Sequence, residues 1–302
     1  MLPGFLVLGG ARCGTTYLFE LLTQNAGLYL NHPRTNEPIT KDTYFFSHTC
    51  YGKKTIELGN YASYFSDAVP GQLVGEVATS YDFFPWVPAL INQYLDPKIR
   101  LIFLVRHPVE RAYAHYMLSL MRGQEFYSFE TALKKESARI RFGGNASYLY
   151  NLHHYSYSAR GFYMKNLENY LNYFPKEQIK MIASEILYRH PEQTYQEICD
   201  FLKVDAVPVD FQRNQNKMEL PQNLTYYRVL KFLKMITDGI PVFWRISSAA
   251  KKILLNTSKS IRPYPPMPAS VAARLWMMYT NDVEKLSGFW STDFLKLWNN
   301  PQ

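Results

Sequence analysis

The stretch GGARCGTT, residues 9–16, decides the fold because it joins an apolar run to a helical pattern. FLVL, residues 5–8, has the character of a buried strand, and LFELL, residues 18–22, follows with helical spacing. Its glycine spacing is typical of a strand-to-helix loop whose backbone N–H groups surround an anion, although an ordinary glycine-rich turn is the alternative. The usual Gly-Lys-Ser/Thr ending is replaced by Gly14-Thr15-Thr16. We therefore expect a ligand whose transferred group carries less charge than that of a nucleoside triphosphate.

Composition limits the class of protein to which this loop belongs. The chain has 302 residues, 47% of them hydrophobic, which is enough to bury a substantial core. The net charge of +8 suggests an anionic ligand or surface. Three scattered cysteines favour a reducing compartment over a disulfide framework or a zinc cluster. With no signal-peptide pattern before the first strand and no apolar run long enough to span a membrane, the sequence predicts a cytoplasmic protein.

Short apolar runs alternate with helix-length segments along the chain. Strands are predicted over residues 5–8, 73–77, 101–105 and 179–182. Helices are predicted over residues 17–23, 109–120, 162–173, 194–202 and 271–286. This alternation indicates an α/β fold in which helices cover both faces of a central parallel sheet.

A basic amphipathic helix is predicted within residues 226–255, which contain KFLKMI and AAKKILL. We interpret it as a helix that packs on the body of the protein; contact with a membrane surface is the less favoured alternative. No internal repeat or linker is apparent. The sequence therefore predicts one domain over residues 1–302.

A second candidate anion site lies in LIFLVRHPVERAYAHYM, residues 101–117. Arg106 ends an apolar strand there, and a helix begins after the following proline. Open α/β sheets bind anions at the carboxyl ends of parallel strands, beside helix N-termini. A surface salt bridge would be the interpretation of Arg106 if the first loop were absent. Two such sites in one sheet suggest a ligand with two anionic groups.

GGARCGTTYL and FLVRHPVERAYAHY together resemble the sulfotransferases that use 3′-phosphoadenosine 5′-phosphosulfate (PAPS), above all the bacterial and heparan-type carbohydrate branches. LVGEVATSYDFF and LWMMYTNDVEKLSGFW also look like segments of that family. The resemblance implies a sulfotransferase fold related to P-loop nucleotide kinases. It also implies that PAPS is the cofactor and that no metal is required.

The resemblance implies a cofactor role for each residue of the loop and for Arg106. Arg106 would bind the 3′-phosphate. The residues that would wrap the 5′-phosphosulfate are Ala11, Arg12, Cys13, Gly14, Thr15 and Thr16. Arg12 replaces the lysine usual in the family; arginine keeps the charge but gives up a proton less readily, so we expect an electrostatic role.

Two further parts of the cofactor site are implied by the resemblance. Ala114 stands where the family usually has a serine that helps to hold the 3′-phosphate, so one hydrogen bond is missing. LNTSKSIRPYPP, residues 255–266, resembles a late basic loop that closes over the cofactor. Its candidate ligands are Lys259, Ser260 and Arg262, and a solvated basic turn is the equal alternative.

The acceptor must lose a proton as it attacks sulfur, so a general base is expected. TKDTYFFS, residues 40–47, resembles the Lys-Glu-Pro-His-Phe-Phe segment of the family and puts Asp42 at the position of the carboxylate base, beside Lys41. Glu37 is the second candidate and requires an insertion. Glu76 either orients the acceptor or caps local backbone, and His115 is interpreted as structural.

The predicted function is transfer of a sulfuryl group from PAPS to a hydroxyl or amine of a small metabolite or saccharide, by in-line displacement with a carboxylate base. The catalytic candidates are Arg12, Asp42 and Glu37. A small-molecule kinase with a P-loop is one alternative, but it should keep the loop lysine. A non-catalytic module that binds a membrane or nucleic acid is another, but it does not explain two anion sites at strand ends. No nucleic-acid partner is expected.

Overall fold

The computed structural model describes residues 1–31, 41–53, 55–141, 146–212 and 265–299. Five strands form one sheet; they are β1 (Phe5–Gly9), β2 (Leu28–Leu30), β3 (Leu73–Ala78), β4 (Arg100–Val105) and β5 (Ile179–Ala183). The α-helices before β5 are α1 (Thr15–Leu22), α2 (Leu58–Ala62), α3 (Val87–Tyr94), α4 (Pro108–Met121), α5 (Phe129–Arg139), α6 (Ala146–His154) and α7 (Tyr163–Leu171). Those after it are α8 (Ser184–Arg189), α9 (Pro191–Leu202), α10 (Ala269–Phe289) and α11 (Phe294–Asn299). A single π-helical turn spans Phe45–Thr49.

The strands pair in the order β2-β3-β1-β4-β5, and every pairing is parallel. β1 therefore lies at the centre, between β3 and β4. The segments that follow β1, β3, β4 and β5 all leave from the same edge of the sheet. This is the edge at which open α/β sheets bind their ligands.

Side chains from β4 show how both faces of the sheet are covered. Ile102 and Leu104 belong to a buried cluster that includes residues of α1, α8 and α9. Phe103 points to the opposite face, since successive side chains of a strand alternate. There its ring meets Tyr170 of α7 edge-on, with ring centroids 4.9 Å apart. The predicted α/β fold with a parallel sheet flanked by helices is confirmed.

The residues cluster into two compact units. The first comprises Met1–Arg111, Ala159–Gln215 and Trp276–Gln302, and it contains the whole sheet. The second comprises Ala112–Ser158 and Asn216–Leu275. Within it, the buried Glu125 carboxylate accepts a hydrogen bond from Arg139 Nη1 at 2.5 Å. The single domain inferred from the sequence stays a prediction.

The four predicted strands agree with the structure to within one residue at each end, and the five predicted helices agree to within about three residues. β2 was missed because a strand of three residues is too short to show a period. The predicted helix within residues 226–255 lies outside the described residues.

Candidate active site

The loop between β1 and α1 makes a tight turn with two left-handed residues. Arg12 has φ 77° and Gly14 has φ 86°. Glycine is also required at position 9, because a Cβ there would lie 2.1 Å from Thr15 Cγ2. Left-handed residues next to right-handed ones turn successive N–H groups into one concavity, which is how protein loops bind anions. The loop leads directly into α1, whose first N–H groups have no acceptor within the helix.

Side chains from other segments donate hydrogen bonds to the carbonyl groups of this loop. Arg111 Nη1 donates to Ala11 O at 3.4 Å. Ser184 Oγ lies within hydrogen-bonding distance of both Cys13 O and Val105 O. Burial raises the pKa of the Cys13 thiol to about 12, so this side chain is a neutral packing group. Any contact of Cys13 with a cofactor would therefore come from its backbone.

Ser184 and its neighbour Glu185 were not found by sequence reasoning. Glu185 Oε1 accepts a hydrogen bond from His107 N at 2.8 Å, so the two residues after β5 support the segments after β1 and β4. The signal was present, because Ser184 and Glu185 lie within three residues of the end of a predicted parallel strand, residues 179–182. Polar residues at that position lie at the same edge as the loop.

Lys41 supplies a cation to the threonine pair of the loop. Its Nζ donates to Thr15 Oγ1 at 2.8 Å and to Thr16 Oγ1 at 2.7 Å. Burial lowers the pKa of Lys41 to about 7, although the neighbouring Asp42 carboxylate raises it. Lys41 comes from a segment that precedes the π-helical turn, 26 residues after Thr15. Sequence reasoning noted this lysine only as the neighbour of Asp42.

Arg106 lies where the sequence predicted, directly after β4. Its Nη2 donates to Glu110 Oε2 at 2.8 Å, and its Nη1 lies 3.5 Å from Arg12 O, a carbonyl of the loop. Tyr163 fixes the backbone at this point, since its hydroxyl donates to Arg106 O at 2.7 Å. The side chain of Arg106 is about one-third exposed (33%), so its guanidinium group is accessible from solvent. The two candidate anion-binding elements are therefore neighbours at one edge of the sheet.

Asp42 is buried next to Lys41 and is bound by several donors. Oδ1 accepts from Tyr44 N at 2.9 Å, and Oδ2 accepts from Thr79 N at 2.7 Å and from Thr79 Oγ1 at 2.9 Å. Burial raises the pKa of Asp42, while the hydrogen bonds from Tyr44 and Thr79 oppose the shift. The contact with Tyr44 N is an Asx turn, which caps the chain before the π-helical turn. Asp42 thus has a structural role, and its role as base stays a prediction.

Glu76 is a second buried carboxylate beside Asp42. Its Oε1 accepts from Thr43 N at 2.9 Å and from the Thr43 hydroxyl, and its Oε2 accepts from the Tyr61 hydroxyl at 2.6 Å. Burial, reinforced by the charge of Asp42, raises the pKa of Glu76 to about 7. Of the two roles considered for Glu76, these contacts support capping of local backbone.

A buried ion pair links the loop to the carboxylates. Arg160 Nη1 lies 3.6 Å from Asp82 Oδ1 and donates to Thr79 O at 3.1 Å. A Cβ on Gly10 would lie 3.3 Å from Asp82 Oδ2, so Asp82 sits directly behind the loop. Thr79 in turn binds Asp42. A change in this pair would therefore act on both parts of the site.

Two of the remaining candidates are described by the structure, and four are not. Ala114 and His115 belong to the second unit, where both are buried, and the His115 ring meets Tyr157 edge-on at 5.2 Å. The interpretation of His115 as structural agrees with this contact. The candidates outside the described residues are Glu37, Lys259, Ser260 and Arg262.

In residues 1–31, 41–53, 55–141, 146–212 and 265–299, no group of three His, Cys, Asp or Glu side chains is arranged to hold a metal ion. No helix in the same ranges is both long and apolar enough to cross a bilayer.

Comparison with known proteins shows the family. The model of the sulfotransferase domain matches residues 2–239. The mouse protein named heparan sulfate glucosamine 3-O-sulfotransferase 6 is 25% identical over 278 residues, which cover 92% of this chain and 68% of that protein. The human protein named heparan sulfate glucosamine 3-O-sulfotransferase 3B1 is 26% identical over 280 residues, which cover 92% of this chain and 60% of that protein.

A solved structure agrees with the sequence comparisons. The crystal structure of a sulfotransferase from Alicyclobacillus acidocaldarius is 26% identical and superposes with a TM-score of 0.58, covering 81% of this chain and 99% of that one. Family match, fold and loop geometry lead to the same conclusion. The chain is an enzyme of the sulfotransferase domain family.

Proposed function

We propose that this enzyme transfers the sulfuryl group of PAPS to a hydroxyl or amine of a saccharide, with a carboxylate that removes the acceptor proton. One observation carries the donor side of the proposal. The loop, Lys41 and Arg106 concentrate positive charge and N–H donors at one edge of the sheet, around the threonines that begin α1. Membership of the family favours sulfotransfer over the kinase and over the non-catalytic binding module.

The residues at this edge fit a nucleotide with two anionic groups. The left-handed backbone at Arg12 and Gly14 supports an anion site in the loop, where Thr15 and Thr16 add hydroxyl donors. Arg106 supports a second anion site, and its guanidinium group pairs with Glu110. PAPS, when bound, supplies a sulfuryl group on a good leaving group, the nucleotide phosphate.

This chain's own residues would then have separate tasks. The loop backbone and threonine hydroxyls orient the anion, while Arg12 and Arg106 balance its charge. Asp42 follows Lys41 directly in the chain, and it is our candidate for the group that accepts the acceptor proton. The hydrogen bonds from Thr79 and Tyr44 fix the orientation of its carboxylate.

The acceptor is inferred from related proteins and from the net charge of the chain. Two relatives carry names that identify them as sulfotransferases of heparan sulfate glucosamine. Together with a net charge of +8, which suits an acidic glycan, these names favour a saccharide acceptor over other small metabolites.

A transfer assay with radiolabelled PAPS tests this function. The enzyme is incubated with heparan-type oligosaccharides, uncharged oligosaccharides, amino sugars and phenols, and parallel reactions contain radiolabelled ATP with magnesium. We expect label from PAPS on a saccharide and no label from ATP. Label on phenols alone would contradict the saccharide acceptor, and transfer from ATP would contradict the donor.

A further inference from the structure

The side chain of Lys41 reaches the end of the loop, beside the threonines where we expect an anion to bind. Its Nζ bridges Thr15 Oγ1 and Thr16 Oγ1, the first two side chains of α1. Hydroxyl groups that accept from an ammonium group still carry a proton that they can donate to an anion. An anion that entered beside these threonines would therefore meet both hydroxyls and the ammonium group.

The surroundings make this place unfavourable for a cation on its own. The N-terminus of α1 carries the positive end of the helix dipole, and the Arg12 guanidinium adds positive charge. Among the described residues, the negative groups that raise the pKa of Lys41 are Asp42 and Glu20. Asp42 is itself buried and accepts hydrogen bonds from Thr79 and Tyr44. Repulsion between its carboxylate and that of neighbouring Glu76 disfavours the ionisation of both groups together. The described part of the site therefore favours binding of an anion beside Lys41.

We propose that Lys41 provides the cation that binds the 5′-phosphate end of the donor nucleotide at this loop, and that it takes up a proton as this anion binds. This inference rests on the proposed function, because it takes the ligand of the loop to be the donor nucleotide. Arg12 keeps its fixed charge beside Lys41. One proton passes from solvent to Lys41 Nζ, and no covalent bond changes.

The expected size of the effect follows from the charge balance. In the free protein the pKa of Lys41 is lowered by burial to about 7, so at pH 8 only about one-tenth of the molecules carry the charge. An anion within hydrogen-bonding distance raises that pKa again. Binding at about pH 8 should then take up about 0.9 proton, and affinity should fall about tenfold for each pH unit above this range.

Calorimetry measures proton uptake directly and does not depend on turnover. The desulfated product, 3′-phosphoadenosine 5′-phosphate (PAP), is titrated into the enzyme at about pH 8 in buffers of different ionisation enthalpy. Lys41→Arg keeps a charge that does not titrate, and it reports any protons taken up by the ligand or by other residues. Lys41→Met removes the charge. Lys98→Met, an exposed lysine just before β4 at the other end of the strand, is the matched control.

We expect the wild type and Lys98→Met to take up about 0.9 proton more than Lys41→Arg does. Lys41→Arg should still bind PAP, and Lys41→Met should bind at least about tenfold more weakly. Equal uptake by the wild type and Lys41→Arg would overturn the role of Lys41 and leave the proposed function standing. Failure of the wild type to bind PAP would overturn both.

The wild type alone also decides the question if a variant does not fold. Above about pH 7.5 the phosphates of PAP are ionised, so the remaining pH dependence of its affinity belongs to the protein. A tenfold loss of affinity for each pH unit supports the assignment. A flat profile up to about pH 9 would overturn it.

Discussion

The loop after β1 and the buried carboxylates Asp42 and Glu76 differ in how far apart in the sequence their interacting residues lie. The loop is contiguous: residues 9–16 make the turn, and two left-handed residues set its shape. The carboxylates depend on distant partners, since Asp42 is bound by Thr79, 37 positions away, and Glu76 by Thr43, 33 positions away. The comparison teaches that anion binding can be encoded locally, whereas the protonation of a buried acid is set by the tertiary fold.

The largest effect should come from the carboxylate region. Asp42→Asn should lower kcat by about 10²- to 10⁴-fold and leave PAP affinity nearly intact, because an amide cannot accept the acceptor proton. Glu37→Gln should be mild. Both are measured as steady-state rates per folded molecule, beside calorimetric titration with PAP.

The structural role of Asp42 gives the competing outcome. If Asp42 only caps the turn at Tyr44, its loss should lower the free energy of unfolding by about 0.5 to 2 kcal/mol and spare turnover. A denaturant titration of Asp42→Asn separates the two effects. We would abandon Asp42 as base if its variant turned over like the wild type while Glu37→Gln was inactive.

Arg106 provides the corresponding test of the anion-binding region. Arg106→Ala should weaken PAP binding by about 1.5 to 3 kcal/mol, or roughly 10- to 150-fold, because the charged contact that we propose between Arg106 and the 3′-phosphate would be lost. Its partly exposed ion pair with Glu110 should add little to stability. Calorimetry measures the affinity, and thermal unfolding measures the stability.

Glu110→Ala is the matched control, since it breaks the same ion pair but keeps the guanidinium group. PAP affinity should be unchanged or higher in this variant. Wild-type PAP affinity in Arg106→Ala would refute the assignment of Arg106 to the 3′-phosphate. Equal losses of PAP affinity in both variants would show that binding depends on the Arg106–Glu110 ion pair.

The smallest effect is on the pH dependence of stability. The pKa of Glu76 is raised to about 7 in the fold and lies near 4.5 in the unfolded chain, so the folded state favours the protonated acid. The stability that this provides is present below about pH 4.5 and is lost as the pH rises through 7. Glu76→Gln, which resembles the neutral acid, should flatten the decline in stability between about pH 5 and pH 7. Part of the decline should remain in this variant, because burial also raises the pKa values of Asp42 and Asp82.

Urea titrations across this pH range measure the effect. Lys41, whose pKa is lowered to about 7, is charged in both states only below about pH 6, so the two proteins are compared there; any contribution of Lys41 above this pH is common to both. A Glu76→Gln variant as pH-dependent as the wild type would show that Glu76 is ionised in the fold throughout this range.

The sequence predicted the parts of this site that depend on local pattern. Apolar runs located four of the strands, and the motif around Gly14 and the strand end at Arg106 located both candidate anion-binding elements. β2 was not predicted, because a strand of three residues is too short to show alternation of apolar and polar side chains. Lys41 was seen as a neighbour of Asp42, but its contact with Thr15 depends on the path of the chain between them. The raised pKa of Glu76 depends on burial by side chains that no local pattern links to it.

Nucleotide binding by the wild-type enzyme tests the central claim most directly, which is that the loop and Arg106 form one site for a nucleotide with two anionic groups. Calorimetry compares PAP, adenosine 5′-phosphate and ATP with magnesium under the same conditions. We predict that PAP binds, that adenosine 5′-phosphate binds at least about tenfold more weakly because Arg106 loses its phosphate, and that ATP with magnesium does not displace PAP. Equal affinity for PAP and adenosine 5′-phosphate, or displacement of PAP by ATP with magnesium, would contradict the account.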